Sequence, residues 1–207
     1  DYSGAIADVL GVVSLPPLPL WVMAQSTGCA ALVDYASKYA WPFAATVLLA
    51  PLIRPVRWKS VKAVCFLLKN IIDSVPRTFS PNSSDQTFQH FLIRDPLQSQ
   101  RISLRWVSAL QRWLSELRYR DLGVGPALII QGDADATVDW RYNVGVIRQL
   151  FPASDVEYLP GAGHQLANES DKIRSDYLRL VEAWITESGI SGNNAVTRAS
   201  VLGVEPG

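Results

Sequence analysis

Few of the residues that usually mark a protein's class are present. The chain of 207 residues has two cysteines, Cys29 and Cys65, two histidines, His90 and His164, and one methionine. Two cysteines in a chain this long do not form a disulfide framework. They read as small buried hydrophobes on two different helices. Charged residues make up only 18% of the chain, below the roughly 25% of an average soluble domain. Lys plus Arg and Asp plus Glu stand at 19 each, so the net charge is zero. Nucleic-acid binders carry a basic excess, and no such partner is expected here. No uncharged stretch approaches the ~20 apolar residues that cross a bilayer. No internal repeat is visible. The first residue is Asp1, so the default cytoplasmic assignment leaves room for a signal ahead of it.

Hydrophobic residues account for 48%, with seven Trp, seven Tyr and six Phe, enough for one packed domain carrying a subdomain. Residues 2–13 space Ile6, Val9, Leu10 and Val13 as a helix, which Pro16 and Pro17 stop. Leu18 to Ala24 is a short, nearly continuous apolar run, the pattern of a strand buried on both faces of a parallel sheet. A helix follows through Cys29–Tyr35 and fades near Trp41-Pro42. Further strands are expected at Ala44–Ala50, Pro126–Gln131 and Asp155–Leu159. Helices are expected over Arg141–Phe151 and Ser170–Glu187. Residues 189–207 show no periodicity and read as a loose tail.

Strands alternating with helices indicate an α/β fold, a mostly parallel sheet flanked by helices. Between the second and third strands the rhythm breaks into an all-helical stretch, with helices over Val61–Ile72 and Ile102–Arg120. It reads as an inserted cap, residues 57–120, with the core formed by 1–56 and 121–188.

Ligands bind at the carboxyl ends of strands in such sheets. After the first strand stands Ala24-Gln25-Ser26-Thr27-Gly28, close to G-x-S-x-G, in which a sharp strand-to-helix turn exposes a serine hydroxyl. Ala24 replaces the first glycine. The alternative is that Ser26 or Thr27 merely caps the helix. After the third strand Asp133, Asp135 and Asp139 crowd one loop. One could orient a histidine, or the loop is solvated with Asp139 capping the next helix. After the fourth strand comes Gly161-Ala162-Gly163-His164, a histidine placed for general-base work. His90, beside Phe88 and Phe91, reads as packing within the cap. So do Trp58, Phe66, Leu67, Leu68, Trp106 and Trp113, with an acyl-binding pocket as the alternative.

Four stretches resemble the monoacylglycerol lipase and lysophospholipase branch of the α/β-hydrolase superfamily: Trp21–Gly28, Leu48–Pro51, Ile130–Val138 and Pro160–His164. The order serine, aspartate, histidine along the chain is the superfamily's order. The likeness covers about residues 1–188. It implies a serine hydrolase of acyl esters such as monoacylglycerol or lysophospholipid, with Ser26 as nucleophile, His164 as base and Asp135 as its orienting acid. Asp135 is chosen because the family places glycine, two residues, aspartate, two residues and valine there. The backbone N–H of Thr27 would be an oxyanion donor. The expected partner is a small acyl-ester substrate, with room for peripheral lipid contact through the cap. No metal or redox cofactor is implied. Residues 1–13 match the helix just ahead of the nucleophile strand, so the preceding strands and the loop with the other oxyanion donor are expected to lie outside a partial hydrolase fold. This leaves a second reading open, a non-catalytic remnant acting as an interaction module.

Overall fold

The computed structural model describes residues 2–14, 18–78 and 81–188; the tail expected over 189–207 lies outside them. In chain order the elements are α1 (Tyr2–Val12), β1 (Leu20–Gln25), α2 (Thr27–Lys38), β2 (Phe43–Leu49), α3 (Trp58–Leu68), β3 (Ser74–Pro76), α4 (Gln86–Arg94), β4 (Arg101–Ser103), α5 (Leu104–Glu116), β5 (Ala127–Gly132), α6 (Trp140–Leu150), β6 (Ser154–Leu159) and α7 (Asp171–Glu187). A turn of 3-10 helix, Leu166–Asn168, precedes α7. Among the described residues no helix is long and apolar enough to cross a membrane.

The main sheet has the order β1-β2-β5-β6, and every pair in it is parallel. The two central strands are the apolar runs Phe43–Leu49 and Ala127–Gly132, and β5 is buried along its whole length. Alternate side chains of a strand point to opposite faces, so these strands feed two cores. On one face Leu48, Ala127 and Ile129 pack with Cys29, Leu32 and Val33 of α2 and with Val144, Ile147 and Leu150 of α6. On the other face Ala45, Val47, Leu49, Leu128 and Ile130 pack beneath Tyr177, Val181 and Trp184 of α7. Both cysteines are free and buried, on α2 and α3.

The expectation that the first strand is buried on both faces fails. Trp21 and Met23 are 37% and 48% exposed. They share a face with their register partners Ala45 and Val47. That face is covered by α7, whose packing reaches β2, β5 and β6 but none of the β1 side chains.

The inserted stretch is not all-helical either. β3 and β4 pair antiparallel at its centre, Ser74 opposite Ser103 and Pro76 opposite Arg101. This pairing takes up residues 101–103, so α5 starts at Leu104, and it ends at Glu116 rather than Arg120. Residues 81–84 lead directly into α4, where the Asp85 carboxylate accepts from the Thr87 and Phe88 amides. Such a cap satisfies two orphan donors of the first turn. The inserted stretch has a small core of its own: Cys65, Leu104 and Val107, with Trp58, Val61, Leu68 and Val75 against it. Trp113 packs against the main core instead, with Leu114 and Leu117. Phe66, Leu67, Phe91 and Trp106 are exposed, and so is His90. The reading of these side chains as cap packing is therefore corrected: α3 and α4 each have only one packed side.

One buried amide ties the loop between β2 and α3 to α6. The Asn143 side chain donates to the carbonyls of Pro51 (3.0 Å) and Arg54 (3.0 Å) and accepts from the Arg54 amide (3.0 Å). Nearby, Arg54 pairs with Asp139 at 2.6 Å and lies 3.4 Å over the Tyr142 ring. Replacing Asn143 by leucine keeps the volume but strands three backbone groups. We expect a loss of about 3 kcal/mol in urea unfolding, since each unpaired buried polar group costs about 1–3 kcal/mol. A loss under about 0.5 kcal/mol, the scale of a neutral surface change, would contradict this role.

Candidate active site

Because β1, β2, β5 and β6 run parallel, the segments following β1, β5 and β6 leave the sheet at one edge. Each of the three carries a residue singled out above. Ser26 sits between β1 and α2 with φ 54° and ψ −115°, outside the regions comfortable for a side-chain-bearing residue. Strain of this kind costs about 1–3 kcal/mol and persists only when the surroundings impose it. They do so here through backbone bonds. The Ser26 amide donates to the Leu49 carbonyl (3.0 Å), and the Ser26 carbonyl accepts from Cys29 (3.0 Å) and Leu52 (3.2 Å). A Cβ on Gly28 would meet that of Ala24 at 3.5 Å, so the turn accommodates alanine in place of its first glycine. Beneath the turn, the Cys29 thiol donates to the Ala24 carbonyl at 3.2 Å, and burial pushes its pKa up.

Ser26 holds the N-cap position of α2 but makes no side-chain capping bond. Its Oγ lies 2.8 Å from Nε2 of His164 instead. The Nδ1 of His164 lies 2.8 Å from Oδ2 of Asp135. The carboxylate can only accept, so Nδ1 carries the proton and Nε2 accepts from the serine hydroxyl. Both partners of the inner pair are buried, with side chains 4% and 0% exposed. Asp135 Oδ1 accepts from the amides of Thr137 (2.8 Å) and Val138 (3.2 Å), and Oδ2 also accepts from Gln131 Nε2 (3.1 Å). Burial alone would raise the Asp135 pKa. The hydrogen bond and charge of His164 and the two amides outweigh it and hold the carboxyl below its ordinary value of 3.8.

Of the residues proposed from the sequence, Ser26, Asp135 and His164 are brought into one hydrogen-bonded chain, and Thr27 opens α2 beside the serine. Asp133 stands apart, its carboxylate accepting from the Gly161 amide at 2.7 Å. Asp139 takes the N-cap position of α6 without capping it, because its carboxylate is engaged by Arg54. His90, exposed on α4, is outside the network.

The sequence reading missed the residues that hold the histidine loop. Glu169 is fully buried, and its carboxylate accepts from the Gly163 amide (2.6 Å), the Ser84 amide (2.7 Å), the Ser84 hydroxyl and the Ser170 amide (3.3 Å). One anion thus joins the residue before His164 to the entrance of α4. The Gln165 amide donates to the Asn82 carbonyl at 2.8 Å, and the Ser83 hydroxyl to the Asn168 carbonyl at 2.7 Å. From the other side, Gln25 Nε2 donates to Gln165 Oε1 at 2.8 Å. The only signal in the sequence was the glycine pattern. A Cβ on Gly163 would lie 2.6 Å from the Asn82 carbonyl oxygen, and one on Gly132 would lie 2.6 Å from that of Gly163.

The family model described as "Serine aminopeptidase, S33" matches residues 6–171, most of the chain. The chain belongs to this family. Within the S33 match lie Ser26, Asp135 and His164. No curated protein matches the sequence. Among solved structures, this S33 chain is similar to a soluble variant of monoglyceride lipase from Saccharomyces cerevisiae bound to a substrate analog. The identity is 18% and the TM-score 0.70, over 89% of this chain and 67% of that one. A monoacylglycerol lipase from Paleococcus ferrophilus gives 18% and 0.65, over 88% and 72%. A thermostable carboxyl esterase from Bacillus coagulans in complex with glycerol gives 16% and 0.60, over 89% and 68%. These likenesses carry the α/β-hydrolase fold; the identities are too low to carry an activity.

Two predictions test the site's construction. Gly163→Ala drives a methyl group into backbone on the facing loop, and neither side can yield without moving His164. We expect a lower unfolding midpoint and loss of fluorophosphonate labelling at Ser26; wild-type behaviour in both would show the close approach to be wrong. The second concerns pH. The folded Asp135 carboxyl has the lower pKa, so the unfolded chain takes up its proton first. The stabilisation from Asp135 is complete above the unfolded value and is lost as pH falls through the folded one. Urea midpoints between about pH 7 and pH 3 should fall in the wild type with a component that Asp135→Asn lacks. Parallel profiles would refute it.

Proposed function

We propose that the protein hydrolyses carboxylic esters through an acyl-enzyme on Ser26, with His164 as general base and acid and Asp135 as the group that orients His164. The observation that carries this reading is the unbroken chain of hydrogen bonds from Ser26 Oγ through the imidazole to the buried Asp135 carboxylate. A serine used only as a cap, or a site left to decay, has no need of a strained backbone aimed at an imidazole.

In the proposed reaction the Ser26 oxygen attacks the ester carbonyl while Nε2 of His164 takes its proton. Asp135 holds the tautomer with Nδ1 protonated and stabilises the imidazolium that forms. The carbonyl oxygen becomes an oxyanion, and the Thr27 amide, at the first turn of α2, is the donor we assign to it. Helix N-termini present amides without intrahelical acceptors, and their dipole favours developing negative charge. His164 then passes its proton to the departing alcohol. A water molecule, deprotonated in turn by His164, releases the acid and restores Ser26.

The family's name denotes a peptidase, whose substrate would bring a cationic amino group to the site. The inserted segment argues against that. Residues 57–120 hold eleven Lys and Arg against four Asp and Glu. A surface of that sign raises the local concentration of neutral and anionic substrates relative to cations. Acyl esters of monoacylglycerol or lysophospholipid type are therefore the substrates we assign, and the core–cap division at residues 57–120 is the organisation we assign with them.

The test is hydrolysis of 4-nitrophenyl esters of rising acyl length alongside an aminoacyl anilide, with Ser26→Ala as control. We expect ester turnover and fluorophosphonate labelling, and a loss of at least about 10⁴-fold in Ser26→Ala, the scale for removing a triad nucleophile. Turnover surviving Ser26→Ala would overturn the assignment, and turnover of the anilide alone would move it to peptide bonds.

A further inference from the structure

The charge of the chain is unevenly distributed along its length. Its net zero conceals an inserted segment with eleven basic and four acidic residues and a remainder with eight basic and fifteen acidic. Within that segment α3 and α5 pack together through Cys65, Leu104 and Val107. Lys62, Phe66 and Lys69 follow one another at i, i+4 and i+7, a single row along α3 and its C-cap. Arg105 and Arg112 form the corresponding row on α5. Two grooves run between these rows. One, of about 620 Å³, is lined by Trp58, Lys62, Phe66 and Leu114; the other, of about 290 Å³, by Lys69, Ile72, Arg105 and Arg112, with Asp73 paired to Arg105 at 3.4 Å and leaving the cations in excess. Phe66 and Leu67 are 75% and 66% exposed. Large apolar side chains standing free among cations are costly in water and have a specific use at one kind of boundary, the surface of an anionic bilayer. There the phenyl and leucyl groups enter the acyl region while lysine and arginine meet headgroup phosphates.

We infer that the α3–α5 face is a docking surface for an anionic phospholipid membrane. Charge complementarity selects this occupant over a neutral lipid surface, and the exposed Phe66 and Leu67 select it over a soluble polyanion. The inference concerns binding and does not depend on the chemistry assigned to Ser26.

Co-sedimentation of the protein with vesicles tests it, comparing phosphatidylcholine alone with phosphatidylcholine containing about 30 mol% phosphatidylglycerol, an anionic content in the range that attracts basic segments. We expect binding to the anionic vesicles only, weakened steeply between about 0.1 and about 1 M salt as the screening length shortens. Lys62→Gln with Lys69→Gln should weaken it about 25-fold, roughly fivefold for each cation removed. Phe66→Ser with Leu67→Ser should weaken it by at least about tenfold through lost insertion. All four side chains belong to the open side of α3, so thermal unfolding of both variants should match the wild type and certify the comparison. No sedimentation with anionic vesicles, or equal sedimentation with neutral ones, would overturn the inference. So would binding untouched by the lysine changes. Binding to heparin as tight as to vesicles, with the serine variant unaffected, would assign the face to a soluble polyanion instead and likewise overturn it.

Discussion

The parallel pairing of β1 with β2 and of β2 with β5 is the constraint from which the site follows. It aligns Gln25 with Leu49 and Leu49 with Ile130, so the chain leaves all three strands at one level. The Leu49 carbonyl, at the end of β2, accepts the Ser26 amide and so shapes the turn that strains the serine backbone. Had β1 paired one residue out of register, every side chain on it would have changed face, and Val22 and Ala24 would have left the core. The geometry of Ser26 is thus a consequence of how the two central strands bury their side chains.

A second layer of organisation rests on buried polar groups that the sheet does not supply. Glu169 brings the loop before His164 against the entrance to α4, and Asn143 fastens the segment leading into α3 onto α6. Each joins residues more than eighty positions apart through groups that burial makes costly to leave unpaired. Core and inserted segment therefore meet at the Glu169 clasp beside His164 and through α5, whose Trp113 and Leu114 reach the main core. The outer sides of α3 and α4 stay open, and it is there that cations and exposed apolar groups gather.

Much of this was legible in the chain. The two central strands of the main sheet stood out as short apolar runs, because a strand covered on both faces needs no polar alternation. Ser26, Asp135 and His164 stood out because each follows a strand expected from the sequence. β1 misled, since an apolar run reports composition and not whether a helix lies over each face. The short β3–β4 pair was hidden, because strands of three residues have no period to read. The cap's aromatic residues misled for a related reason: helical spacing marks an apolar stripe, but the stripe on α3 that would have served as core is partly the open one.

What the sequence determined by itself was the order of elements, the identity of the two central strands and the positions of Ser26, Asp135 and His164 at strand ends. These are local properties, written in runs and turns of a few residues. The tertiary structure alone decided that Asp133 and Asp139 are engaged elsewhere, that Glu169 holds the histidine loop, and which side of α3 faces solvent. Those outcomes depend on groups far apart in the chain competing for burial and for hydrogen-bond partners, and that competition is resolved only when the sheet has closed around them.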